Sequence, residues 1–151
     1  MALEPGELLA LANAAVALGR VERQLNNVPA ALAHYAEAAA LYRSLGDSLK
    51  LAHTIRHLGD IHRGAGQAEQ ARQCYDEALT IYRGPTQPQP LDLANAIRGL
   101  ALLEGDCGEL ERAKALWAEA KELYAEAGVK EGAAECIDQL AALATQDGRS
   151  Q

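Results

Sequence analysis

The chain has 151 residues, enough for one ordinary domain that buries roughly 70% of the surface its unfolded form exposes. Fourteen basic side chains against twenty-one acidic ones leave a net charge of −7, which argues against broad nucleic-acid binding and against docking to anionic lipid. No stretch approaches the ~18 apolar residues of a membrane span, and the apolar run Leu8 to Leu18 lacks the basic flank of a signal peptide, so a soluble, cytoplasmic protein is expected.

In chain order, helix-favouring segments give a first repeat over about 6–45 and a second over about 47–83. A Pro-rich loop over 84–90 follows, then a third repeat over about 91–127 and a last helix over about 130–146, all within a single domain. In the first copy Ala15, Leu18, Gly19 and Glu22 share one helical face, and Ala31, Tyr35 and Ala38 share another. The second copy reads Ile55, Leu58, Gly59, His62, then Ala71, Tyr75, Ala78. The third reads Ile97, Leu100, Ala101, Glu104, then Ala113, Trp117, Ala120, and a half-copy closes with Ile137, Leu140 and Ala141. All six Tyr and Trp residues obey this template. Tyr35, Tyr75 and Trp117 are 40 and 42 residues apart, and Tyr42, Tyr82 and Tyr124 follow each by seven. Self-similarity at such a period marks stacked helical hairpins whose bare apolar faces must cover one another.

Small residues are expected where two antiparallel helices approach closely: Gly19 with Ala31, and Gly59 with Ala71. Gly46 and Gly128 suit left-handed helix caps, Asp47 and Asp92 suit N-caps, and Pro29 suits the opening turn of its helix. Gly66 and Gly108 occupy equivalent turns inside two repeats, with Asn26-Asn27 in that place in the first. The segment from Gly84 to Pro90 reads as non-helical. Seven helices result.

The template resembles the tetratricopeptide repeat, W-x2-L-G-x2-Y followed by A-x3-F-x2-A, over three full copies and one solitary helix. It departs in its period of 40–42 rather than 34, in the absence of a terminating Pro, and in having Glu22, His62 and Glu104 where the family places Tyr. That longer period is similar to the one found in kinesin light chains and in bacterial peptide-sensing and MalT-like regulators. The resemblance implies an all-α fold, a right-handed α-solenoid of three helix pairs with a C-terminal capping helix. It also implies a non-catalytic interaction module, an adaptor or scaffold holding a peptide in a concave groove. The other function class considered is a dimerising sensor module that controls a separate enzyme or transcription factor.

In that family the groove is lined by positions two, five, nine and twelve of each repeat, a spacing that falls on one helical stripe. Here these positions hold Asn13, Val16, Arg20 and Arg23, then His53, Arg56, Asp60 and Arg63. The third copy supplies Asn95, Arg98, Leu102 and Gly105, and the last helix Glu135, Asp138, Ala142 and Thr145. Five arginines thus accompany one aspartate over three copies of an acidic chain. A planar guanidinium grips a carboxylate through two parallel hydrogen bonds, so the stripe suggests an acidic or C-terminal peptide, with Asn13 and Asn95 holding its backbone. Against this, Arg56, Asp60 and Arg63 are spaced to pair among themselves on one helix.

No phosphate-binding loop or nucleophile elbow appears, and no catalytic residue, metal or cofactor is expected. His53, His57 and His62 have helical spacing but lack a neighbouring cysteine or a His-Glu pair in metalloprotease order. Cys74, Cys107 and Cys136 are expected as free thiols, the first and last buried. The terminal helices are apolar over more than one face, which suggests self-association through one of them.

Overall fold

A computed structural model describes residues 2–150, with side chains described for residues 2–146. Seven helices follow in order: α1 (Pro5–Gln24), α2 (Val28–Leu45), α3 (Ser48–Gly64), α4 (Ala68–Tyr82), α5 (Pro90–Asp106), α6 (Leu110–Ala127) and α7 (Lys130–Ser150). No strand occurs among the described residues. The helix ends follow local chemistry. Gly46 and Gly128 take left-handed caps at φ 71° and 76°, and Asp47 caps α3 by accepting from the Lys50 backbone N–H. Gly66 and Gly108 turn at φ 77° and 81°, and Asn26 takes the same left-handed region at φ 59° in the first repeat. Two expectations shift at α5: Pro90 opens the helix rather than closing the loop. Asp92 then serves as the third residue of a capping box with Gln89 instead of as the N-cap.

Residues Met1–Thr86 form one compact unit, in which α1 pairs with α2, α3 with α4, and α2 packs on α3. Tyr35 and Tyr75 are 1% and 0% exposed, and Leu58 packs against the cluster of Ala31, Tyr35 and Ile61. The glycines of the first helices face these rings rather than the alanines expected opposite them. A Cβ on Gly19 would lie 2.9 Å from the Tyr35 ring, and one on Gly59 3.0 Å from Tyr75. A flat ring against bare backbone is what brings each hairpin together, and each such aromatic contributes on the order of 2–3 kcal/mol. Leu18, expected to pack between repeats, is 50% exposed and belongs to an open stripe of α1 with Leu11 and Val21, continued by Leu25 at its C-cap. Its counterpart Leu58 is covered because α3 has a preceding hairpin within the unit to lie on.

Residues Gln87–Gln151 form the second unit, in which α5 pairs with α6 and α6 with α7. Trp117 and Tyr124 are buried on α6. A Cβ on Gly132 would stand 2.5 Å from the Tyr124 ring, so α7 must turn this glycine onto α6. Residues four and eleven further along share that face, and Cys136 and Leu143 are accordingly buried. Ile137, expected in the core, is instead 55% exposed.

Candidate partner-binding site

A buried phenol must find a hydrogen-bond partner, and the second tyrosine of each repeat finds it at position two of the same repeat. Tyr42 Oη donates to Asn13 Oδ1 at 2.5 Å, and Tyr124 Oη donates to Asn95 Oδ1 at 2.8 Å. Tyr82 Oη lies 2.5 Å from His53 Nδ1. All three pairs span 29 residues. Asn13, His53 and Asn95 therefore clasp the two helices of their own hairpin, and each Asn keeps its NH2 group and one oxygen lone pair for anything else. The constant spacing of 29 was present in the sequence and is the signal that would have revealed this role.

In the N-terminal unit, the arginines divide into two sets. Arg56 donates to Asp60 Oδ2 at 3.0 Å. Arg63 donates through Nε to Tyr75 Oη at 3.2 Å and lies 3.9 Å from Asp60 Oδ1, while Tyr75 Oη in turn donates to Asp60 at 2.5 Å. Burial, and then the Asp60 carboxylate, push the Tyr75 phenol well above its ordinary range. Arg20 and Arg23, by contrast, are exposed and make no ion pair or side-chain hydrogen bond among the described residues.

Between the two sets sits His57, stacked on Tyr35 with ring centroids 5.6 Å apart. Arg56 Nη2 lies 3.3 Å from His57 Nε2. A guanidinium only donates, so Nε2 is the acceptor and the ring proton sits on Nδ1. Burial, then Arg56, hold the imidazole down to about 4, with Asp60 opposing and Arg23 and Arg20 reinforcing. Two buried nitrogens, Arg56 Nε and His57 Nδ1, have no hydrogen-bond partner among the described residues. Both are donors. This corner of the unit is rich in N–H groups and short of acceptors.

In the C-terminal unit the corresponding positions differ. Arg98 grips Glu135 of α7 through two bonds, Nε to Oε1 at 2.5 Å and Nη2 to Oε2 at 2.9 Å. Leu102 and Gly105 stand where the second repeat has Asp60 and Arg63, and Trp117 replaces Tyr75. With no phenol to satisfy and no long side chain at position twelve, a hollow of about 270 Å³ opens between α5, α6 and α7. Ala101, Leu102, Gly105, Asp106, Trp117, Gln139, Leu143 and Gln146 line it. Sequence reasoning did not find this hollow, because it arises from what is missing rather than from a motif.

The remaining candidates are held elsewhere. His62 Nδ1 lies 2.6 Å from Gln67 Oε1, so the three histidines of α3 turn to three different partners. Cys136 is buried, Cys74 half-buried with its thiol pushed up to about 11 by burial and then Glu77, and Cys107 exposed; among the described residues none of the three is in a disulfide. The buried carboxylate of Glu104 meets Arg112 at 3.2 Å and ties α5 to α6. No helix among the described residues is long and apolar enough to cross a membrane.

A family model described as the tetratricopeptide repeat matches residues 10–84. None of the curated proteins compared with the sequence matches it. Among solved structures, BtubC (BKLC) from P. vanneervenii superposes with a TM-score of 0.70 at 17% identity, covering 97% of this chain and 67% of that one. The C-terminal TPR-containing domain of a putative FK506-binding protein from Plasmodium falciparum superposes with a TM-score of 0.64 at 15% identity, covering 99% of this chain and 97% of that one. Identities this low speak for fold alone, and the fold they share with the seven-helix architecture is an all-α solenoid. The repeated aromatic template, the helical hairpins it builds and these matches agree: the chain belongs to the tetratricopeptide repeat family, whose members serve as protein-interaction modules.

Proposed function

We propose that the protein is a non-catalytic adaptor or scaffold whose N-terminal unit captures an acidic segment of a partner, a run of Asp or Glu or a free chain terminus. One observation carries this reading: Arg20 and Arg23 stand exposed on α1 without a counter-ion among the described residues. Nearby, Arg56 Nε and His57 Nδ1 are buried N–H donors lacking an acceptor. A carboxylate supplies acceptors and negative charge, of which this corner has only the Asp60 carboxylate. Arg56 and Arg63 are already paired to Asp60 and contribute through positioning. Arg98 is engaged by Glu135 and is not part of the primary contact.

Fluorescence anisotropy with labelled acidic peptides, and with amide-substituted peptides of the same length, tests the reading. Acidic peptides should bind, weaken steeply as salt rises, and lose about tenfold or more against an Arg20→Glu, Arg23→Glu variant of unchanged helicity. Equal binding of the neutral peptides, or indifference to the double reversal, sinks it.

A second reading rests on the open stripe of α1. Leu11, Leu18, Val21 and Leu25 share the face whose counterpart on α3 is covered by a neighbouring hairpin. A second copy of the chain laid against this stripe would make the protein a dimerising regulatory module. Mass measured by sedimentation should then rise with concentration, and Leu18→Glu should hold it at the monomer value. A monomer at all concentrations removes this reading.

A further inference from the structure

The hollow of the C-terminal unit has a chemistry opposite to that of the arginine-rich corner, and it stands independently of the function proposed above. In the second repeat a long side chain of the first helix reaches the aromatic residue: Arg63 donates through Nε to Tyr75 Oη. In the third repeat Gly105 takes the place of that arginine, with nothing within 4 Å of where its Cβ would be. What is left is a cavity the third repeat does not fill with a side chain of its own. At about 270 Å³ it is smaller than the ~300–1,000 Å³ of sites for whole cofactors, and suits a single side chain.

We propose that this hollow receives a basic side chain, lysine or arginine, from a partner polypeptide. Its walls, Leu102, Leu143 and Ala101, are apolar and match the methylene stem of such a residue. Its polar atoms are suited to accept from a cationic head. Asp106 is exposed and has no ion-pair partner among the described residues, and Gln139 makes no side-chain hydrogen bond there. The field around it has the right sign, because residues 87–151 hold twelve acidic side chains against six basic ones. An acidic occupant would meet Asp106 head on. A purely apolar occupant would leave the carboxylate and the amide facing carbon.

Trp117 lines the hollow and is the only tryptophan of the chain, so its emission reports occupancy directly. Capped pentapeptides of glycine and serine carrying one central arginine, lysine, norleucine or glutamate serve as probes with the full-length protein. The arginine and lysine peptides should change the Trp117 emission saturably, and the norleucine and glutamate peptides should not. Asp106→Asn should weaken the response about tenfold, the loss of one charge-assisted hydrogen bond. Gly105→Arg, which restores the side chain of the second repeat, should abolish the response while circular dichroism stays unchanged. Norleucine or glutamate binding as well as arginine, indifference to Asp106→Asn, or no response to any peptide would overturn the proposal.

Discussion

The two units share one template yet differ in charge and in how they treat the space above the first aromatic ring. Residues 1–86 hold nine acidic and eight basic side chains, close to neutrality, whereas residues 87–151 carry nearly all of the chain's net charge of −7. In the first unit Tyr75 is roofed by Asp60 and Arg63, a polar lid required by the phenol. In the second, Trp117 needs no such lid at that point, and leucine and glycine leave a hollow. The lesson is that a repeat conserves its packing positions through the core and varies its chemistry one layer out, where polar satisfaction rather than volume decides the residue.

Truncating the two rings should separate these layers most strongly. Trp117→Ala removes a ring that is 1% exposed from beside an existing cavity. Collapse around it is hard, so a loss of about 3–5 kcal/mol in urea unfolding, followed by circular dichroism, is expected. Tyr75→Phe keeps the packing and deletes only the hydroxyl that Asp60 and Arg63 share, for about 1 kcal/mol. If the two variants cost the same, packing and polar lid are not separable, and the contrast between the units fails.

The sequence made the first of these layers readable and hid most of the second. Tyr35, Tyr75 and Trp117 announce the hairpins because core volume repeats with the template, and glycine at 19 and 59 follows from the same close approach. Position two was legible only as a polar residue on the right stripe. Whether Asn13 faced a partner or its own Tyr42 depended on a phenol 29 residues away. Arg20 and Arg56, at positions nine and five of their repeats, are likewise the same residue type on the same stripe. Asp60, one turn on from Arg56, gives one of them a counter-ion and not the other. Leu18 and Ile137 were misplaced for a related reason, since burial at the outermost helices depends on neighbours and not on the template alone.

Acid offers the next largest effect and probes the N-terminal unit alone. His57 is held down to about 4, against an ordinary value near 6.5 in the unfolded chain. Below pH 6.5 the unfolded chain binds a proton that the folded one refuses, so stability falls as pH drops from about 6.5 towards 4. The full loss is about 3 kcal/mol. A His57→Gln variant should lack this slope in the part of the window above pH 5, before carboxylates begin to protonate. Arg20 and Arg23 share responsibility for the shift, so replacing both with Gln should raise the His57 pKa seen by NMR, and so should a bound acidic peptide. A His57 that titrates near 6.5 in the native protein would mean that the donor-rich corner is open to water.

The smallest expected effect concerns the one arginine of the stripe that the C-terminal unit supplies. Arg98 and Glu135 form a two-bond pair with about a third of each side chain still exposed. Exposure on that scale limits a pair to about 0.2–1 kcal/mol, because water and salt screen it and two long side chains must be ordered to make it. A double-mutant cycle with Arg98→Ala and Glu135→Ala isolates this term from whatever else each residue touches. The coupling should fall in that range at low salt and shrink as salt is added. A coupling of zero would mean that Arg98 is held only loosely and is available to an acidic partner after all.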